Sequence, residues 1–314
     1  MPDYGDVRAL VLGASGFSGR RVARALSAAG ADLSLAVRTA RHGMVGEFPG
    51  AREVELDLLD TAALRDLVEE TAPDIVFNLA GYGINPAERD PALAEHINAA
   101  FLATLVEAVA ALQQSRWPGQ RIVHTGSALE YGVCSGDLAE TTEPQPTTLY
   151  GRTKLAGTRL LQKSSAAVGL SSVTARLFTV YGPGERSGRL LPALMELARE
   201  GGSLDLTAGI QQRDFTYVDD VAEGLLRLGT VQTTPGEVVN LATGRLHTVR
   251  EFVETAAGVL GIPAGDLHFG ALPMRQEEMA HLPVATGKLQ NLLEWLPTTS
   301  IRQGVERTRQ AMQC

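Results

Sequence analysis

An apolar run, a turn holding three glycines and a helix-like pattern follow one another in LVLGASGFSGRRVARAL, residues 10–26. No other feature constrains the fold of this chain as tightly. Gly13, Gly16 and Gly19 let the backbone come close to an anion at a helix N-terminus, where free N–H groups and the helix dipole favour negative charge. Placed between a strand and a helix, the spacing implies the pyrophosphate of a dinucleotide. Gly13, Ser15, Gly16, Phe17 and Gly19 are the expected cradle.

The rest of the first half continues this beginning. Apolar runs at 8–13, 33–38, 53–58, 74–80, 121–126 and 172–178 predict strands, and the intervals 17–29, 61–71, 92–113 and 150–168 predict helices. Continuous apolar strands alternating with amphipathic helices form a parallel sheet covered on both faces. With right-handed crossovers, the fold class is α/β, a Rossmann-like doubly wound parallel sheet. Past residue 178 the rhythm changes: YGPGERSG is a glycine-rich loop, followed by a helix, the short strand SLDL, and RDFTYVDDVAEGLLRL as a strand leading into a helix capped by Asp219 or Asp220. The predicted division is a dinucleotide-binding domain over 1–178, with 214–243 returning to it. A smaller C-terminal α+β substrate lobe takes 179–213 and 244–314.

The identity of the dinucleotide turns on the end of the second strand. An acid there would accept hydrogen bonds from the ribose hydroxyl. The sequence instead reads AVRTARHG, with Arg38 and Arg41 and no carboxylate. A guanidinium suits a 2′-phosphate, so NADP(H) is favoured and NAD(H) stays possible; the alternative for either arginine is a solvated surface position.

Composition narrows the partners. The net charge of -8, from 28 basic and 36 acidic side chains, argues against nucleic-acid binding. Cys134 and Cys314 give neither a disulfide framework nor a metal-ligand spacing, so no metal is expected. The apolar stretch ALAEHINAAFLATLVEAVAAL is broken by Glu95, His96, Asn98 and Glu107, which reads as a buried helix and not as a membrane span. The opening MPDYGDVRALVLG, with Asp3 and Asp6 before an apparent strand, is not a signal-peptide pattern, and a cytoplasmic location is expected.

Chemistry enters with LYGRTKLAGTRLL. Tyr150 and Lys154 lie one helical turn apart and point the same way. An ammonium beside a phenol favours the phenolate, drawing the tyrosine down from its usual value of about 10. The pair can then exchange a proton with a carbinol oxygen. Ser127, at the end of a predicted strand in HTGSALEYG, can hydrogen-bond the same oxygen. Nearby, Glu130 serves either a structural hydrogen bond or a substrate contact, and His124 is expected to pack or bond beside its strand.

Taken in order, GASGFSG, Asp57 in ELDLLD, NLAG at 78–81, Asn98, Ser127 with YG following, YxxxK, ARLFTVYGPG, RDFTYVDDVA, NLATG, PMRQEE and LLEWLP make the chain resemble the extended short-chain dehydrogenase/reductases, which act mainly on nucleotide sugars. That resemblance implies Asp57 and Leu58 near adenine, Leu79, Ala80 and Gly81 beside the cofactor ribose, and Asn98 in the cofactor site. It places Ser127, Tyr150 and Lys154 at the reacting carbon. It also implies Ala128, Thr179, Arg213 and Arg275 at the substrate, the two arginines gripping a diphosphate. Asp57 has a turn cap as its alternative role, and each arginine a surface ion pair. Thr179 departs from the asparagine common at its position, and a hydroxyl cannot reproduce an amide's geometry. The helices at 92–113 and 150–168 resemble a pair that dimerises in this family, so a homodimer is expected.

Three enzymatic readings follow. A 4,6-dehydratase would carry an Asp-Glu pair after the Ser/Thr, and Ala128 and Leu129 stand there, which disfavours dehydration. A 4-epimerase would keep NAD bound throughout. A 4-ketoreductase would consume NADPH once per turnover; Arg38 and the SALEYG form favour this reading, with a 4-keto-6-deoxyhexose nucleotide as substrate. An NAD(P)-sensing binding protein is the alternative of another class, though such proteins commonly lose the Tyr or Lys retained here.

Overall fold

A computed structural model of the chain describes residues 2–38, 47–85, 87–112, 115–134, 136–273 and 282–312. The first half alternates as the apolar runs require: β1 (Arg8–Leu12), α1 (Phe17–Ala28), β2 (Asp32–Val37), β3 (Arg52–Glu55), α2 (Thr61–Thr71), β4 (Ile75–Asn78) and α3 (Pro91–Glu95). A π-helical turn over His96–Ala100 joins α3 to α4 (Phe101–Ala111), so the single predicted helix carries a bulge in its middle. β5 (Ile122–Ser127), α5 (Leu149–Val168) and β6 (Ser172–Leu177) complete this half. By length and composition Pro91–Ala111 is apolar enough to cross a membrane. Its Phe101, Leu102, Leu105, Val106 and Val109 are buried against α2 and the sheet, as in a core helix.

The second half contains β7 (Thr179–Tyr181), α6 (Leu190–Glu200), β8 (Leu204–Leu206), β9 (Gln212–Tyr217), α7 (Val218–Thr230), β10 (Glu237–Leu241), β11 (Leu246–Thr248), α8 (Val249–Leu260), β12 (Leu267–Phe269), α9 (Gly287–Leu293) and α10 (Ile301–Ala311). Seven parallel strands form the main sheet in the order β10-β6-β5-β4-β1-β2-β3. The order reverses between β1 and β4, and the crevice outside strand C-termini at such a point is where ligands of open α/β sheets bind. The glycine turn leaves β1 there.

Clusters of buried apolar side chains hold the two halves. One face of the main sheet buries Val22, Ala23 and Leu26 of α1 with Val221, Ala222, Leu225 and Leu226 of α7, and the packing of α2 and α4 covers its other face. Burying such a branched side chain contributes about 1.5–3 kcal/mol. A further cluster joins Leu191 and Leu194 of α6, Phe252, Val253 and Ala256 of α8, and Ile301 and Val305 of α10. Phe215 stacks on Phe252 at 4.3 Å, and the Tyr181 ring meets Phe252 edge-on at 5.2 Å.

The structure corrects two expectations. Residues 214–217 do not return to the main sheet: β9 pairs with β7 and β11, and the return begins at α7. Neither Asp219 nor Asp220 caps α7, whose N-cap is Tyr217. The buried Asp220 carboxylate instead accepts from the Thr299 backbone N–H at 2.9 Å and from its hydroxyl at 2.6 Å. Asp219 lies 3.5 Å from Arg21.

Candidate active site

The glycine turn is built by close approach. Gly13 has φ +74°, and a Cβ there would meet the Ala80 nitrogen at 2.8 Å. At Gly19 a Cβ would fall 2.1 Å from the Gly13 carbonyl oxygen. Gly16 is the N-cap of α1, and no side chain caps the helix. The amide end of α1 therefore faces the switch point open to an anion, and the turn fits a dinucleotide pyrophosphate.

Around it stand the other residues expected at the cofactor. Leu79 and Ala80 back the turn, the Leu79 N–H donating to the Leu12 carbonyl at 3.0 Å. Gly81 is exposed beside them. Arg38 ends β2 and is exposed, whereas Arg41 lies outside the described residues. Asp57 is exposed, and its carboxylate accepts from the Leu59 N–H at 3.0 Å, the turn-capping role that was its alternative. Leu58 offers its carbonyl to His96 Nε2 at 3.0 Å. Asn98 is buried and its amide is fully engaged: it accepts from Tyr82 N–H (2.9 Å) and donates to the Tyr82 carbonyl and to Thr153 Oγ1, both at 2.8 Å. Its observed role is to hold the loop after β4 against α5.

The three residues expected at the reacting carbon lie on β5 and α5: Ser127 on the first, Tyr150 and Lys154 on the second. Ser127 ends β5 and caps the short 3-10 turn over Ala128–Glu130, its Oγ accepting from the Leu129 N–H at 3.1 Å. With that lone pair used, the Ser127 O–H remains to donate. The first turn of α5 packs directly on this turn, since a Cβ on Gly151 would come 2.3 Å from the Leu129 carbonyl oxygen. Tyr150 lies beside the loop after β4, its Cδ2 3.5 Å from where a Gly83 Cβ would sit. That loop is folded by Glu88, whose Oε2 accepts from the N–H of Gly83 (2.8 Å) and of Asn85 (3.3 Å). Lys154 is only 2% exposed.

Electrostatics here differ from the sequence reading. Burial, then the Glu130 and Glu88 carboxylates, push the Tyr150 phenol above its ordinary range. The expected lowering by Lys154 is not found. Lys154 is itself pushed down to about 8 by burial, with Glu130 acting in the opposite sense. His124 is buried, and burial followed by the Lys154 charge pushes its pKa down. The Asn78 amide oxygen accepts from the Ala80 N–H at 3.2 Å, so its nitrogen donates to His124 Nδ1 at 2.9 Å. The imidazole is a neutral packing element with its proton on Nε2.

The second lobe forms a cavity of about 190 Å³ lined by Thr179, Glu185, Arg189, Arg213, Phe215 and Phe252, among others. It brings together Thr179 and Arg213, the two described residues that the resemblance implied at the substrate diphosphate and its neighbourhood. Next to Arg213, the buried Asp214 pins β9, accepting from the Thr243 N–H and the Thr243 hydroxyl, each at 3.0 Å, and from Thr216 at 3.1 Å. Arg275 lies outside the described residues. Ala128 is buried and Leu129 half-buried, and neither of these two positions directly after Ser127 carries a carboxylate.

Residues 9–242 match the NAD dependent epimerase/dehydratase family. The chain belongs to that family. It is an NAD(P)-dependent enzyme of the epimerase/dehydrogenase type. Among curated relatives, dTDP-6-deoxy-L-talose 4-dehydrogenase (NAD(P)(+)) of Kitasatospora kifunensis is 31% identical, covering 97% of this chain and 95% of that protein. A probable UDP-glucuronate 4-epimerase of Rhizobium meliloti is 26% identical, covering 96% and 95%. The solved structure of MoeE5 in complex with UDP-glucose and NAD superposes with a TM-score of 0.80 at 28% identity, covering 98% of this chain and 100% of that one. MoeE5 holds NAD, whereas Arg38 favoured NADP(H) in the sequence of this chain; the family to which the chain belongs is NAD(P)-dependent.

Sequence reasoning passed over two parts of the site. Phe215 and Phe252 line the cavity, but only the pairing of β9 with β7 and the packing of α8 bring them there. Glu130 was noticed without a settled role. The pattern S-x-x-E over 127–130 is a capping-box signal that would have assigned it.

Proposed function

We propose that this enzyme interconverts nucleotide sugars that differ in configuration at C4, using NAD that it retains through the cycle. The observation that carries the reading is that Ser127 ends β5 and Tyr150 and Lys154 lie on α5, with Tyr150 beside the loop after β4 whose start backs the glycine turn, while Thr179 and Arg213 share a cavity of the second lobe. The 4-epimerase among the relatives supports the reaction type, and the UDP-glucose and NAD bound to MoeE5 support the ligand classes.

In this reading the cavity of the second lobe holds the nucleotide, and Arg213 and Thr179 bind its diphosphate. Anchoring at that end leaves the hexose free to present either face at C4. The glycine turn, the open amide end of α1 and Lys154 would hold the dinucleotide, which when bound supplies a hydride acceptor and donor at C4. Tyr150 takes the proton of the C4 hydroxyl as that carbon is oxidised and returns it after the ring has turned over. Ser127 donates to the same oxygen, stabilising charge that develops there. The Lys154 ammonium orients the cofactor ribose and favours the phenolate. With Ala128 and Leu129 following Ser127, no carboxylate is placed for acid or base work at C5 and C6, which argues against dehydration.

A second reading is a one-way oxidoreductase at the same C4 position. The 31% identical 4-dehydrogenase and the arginine at the end of β2 favour it. One experiment separates the two. Purified protein is incubated with UDP- and dTDP-hexoses without added cofactor, and with their 4-keto derivatives plus NADPH. A C4 epimer formed in the first mixture supports epimerisation. Nicotinamide consumed one-to-one in the second, with no epimer in the first, would replace it by the reductase.

A further inference from the structure

A buried ion pair lies directly behind the catalytic serine. Glu130 is wholly buried, and Arg176 of β6 is 3% exposed. One Glu130 oxygen accepts from the Ser127 backbone N–H at 2.8 Å. The other accepts from Arg176 Nε at 3.0 Å and from the Thr158 hydroxyl of α5 at 3.1 Å. The Arg176 guanidinium also lies over the Tyr131 ring at 4.4 Å, and the Tyr131 hydroxyl donates to Asn240 of β10 at 2.7 Å. One carboxylate thus joins the end of β5, the middle of α5 and strand β6.

A core of this kind gains little stability from such a pair, because removing two charges from water offsets most of their attraction. Its placement points to another use. We propose that Glu130 is a positioning residue of the catalytic centre: one oxygen sets the Ser127 peptide, and the other ties β6 and α5 to it. The assignment rests on the functional reading above for the roles of Ser127 and Lys154.

The groups facing this carboxylate and its neighbours are few. Arg176 comes from β6, Tyr131 from the turn after β5, His124 from β5, Tyr150 and Lys154 from α5, and Glu88 from the loop after β4. Of these, His124 is neutral and Arg176 is taken up by Glu130 itself. The charge that acts on Lys154 is that of Glu130, and it favours the protonated amine against burial. Glu130 also acts on Tyr150, where it favours the neutral phenol. A single carboxylate therefore favours the protonated form of both partners.

Glu130→Ala would strand the guanidinium in the core and is expected to unfold the chain, so the informative variant is Glu130→Gln with Arg176→Met. There the Gln amide oxygen still accepts from Ser127, its nitrogen donates to Thr158, and no charge is left unpaired. NADH affinity is measured against pH by the fluorescence of the bound ring, and kcat and KM on the sugar that the native protein turns over. The alkaline loss of NADH affinity is expected to move about one unit to lower pH, because Lys154 loses its proton earlier. The value of kcat is expected to fall about tenfold with KM within about twofold of native. A folded double variant with the native pH profile and native kcat overturns the proposal. Thr158→Val, which keeps both charges, decides the matter if the double variant does not fold. It should lower kcat about threefold without moving the alkaline limb, and an unchanged kcat there overturns the tie to α5. If the native protein turns over no nucleotide sugar, the functional reading fails on its own, and the NADH profile still decides the role of Glu130.

Discussion

Lys154 shows how one residue trades stability for chemistry. Its ammonium is almost fully buried, and its pKa falls from 10.5 to about 8. Below pH 8 the folded and unfolded chains both hold the proton, and the folded chain bears the whole cost of the buried charge. Between those two values the unfolded chain binds more protons, so stability rises with pH through that window. Lys154→Met should abolish turnover yet raise stability at pH 7 by about 3 kcal/mol at most. Denaturant melts at pH 7 and pH 10 test this: the gain should shrink toward zero at the higher pH. A variant less stable than the native protein at pH 7 would contradict it. The same residue marks what a linear sequence conceals. YxxxK placed Tyr150 and Lys154 on one helical face, and the structure agrees. The electrostatic consequence was misjudged because burial and the carboxylates of Glu130 and Glu88 act from other segments of the chain.

At the scale of elements, the glycine turn and the parallel strands were legible because their signals are local. Strand limits shift by three residues at most, and Gly13, Gly16 and Gly19 approach backbone within the turn or in the segment just after β4. Gly19→Ala would force a methyl against the Gly13 carbonyl oxygen, opening the turn. Its NAD affinity is expected to fall about tenfold or more, a loss of at least about 1.4 kcal/mol, while the melting temperature changes little. Native affinity in a titration would show that the turn does not grip the cofactor. What local signals did not carry was pairing. Residues 214–217 read as part of the first domain because they precede α7, yet β9 finds its partners in β7 and β11. Asp220 reads as a cap by residue type, but Thr299, 79 positions away, takes its carboxylate. The π-helical turn over His96–Ala100 leaves no periodicity change strong enough to see, though it carries Asn98, whose amide faces Tyr82 and Thr153.

For the molecule as a whole, apolar packing joins the lobes, with Val180, Leu289 and Trp295 set against the main-sheet core, and two buried carboxylates add polar ties. Asp214 fastens β9 to the segment leaving β10, and Asp220 fastens α7 to the segment entering α10. Asp220→Ala would leave the buried Thr299 N–H without an acceptor. It should cost about 2–4 kcal/mol, read as a lower denaturation midpoint, with NAD affinity kept because the glycine turn lies elsewhere. A variant as stable as the native protein would remove this contact from the account. The joint matters because the proposed reaction divides its labour: the main sheet holds the hydride carrier, and the second lobe holds the nucleotide while the sugar turns.

That division, with hydride leaving C4 and returning to it beside Tyr150, is tested most directly by a label. A nucleotide sugar that the native enzyme epimerises is prepared with deuterium at C4 and incubated with the protein in ordinary water. The product epimer should retain the deuterium at C4, and Tyr150→Phe should reduce its formation at least about a hundredfold. Deuterium lost to water, or a Tyr150→Phe variant with native turnover, would contradict the account.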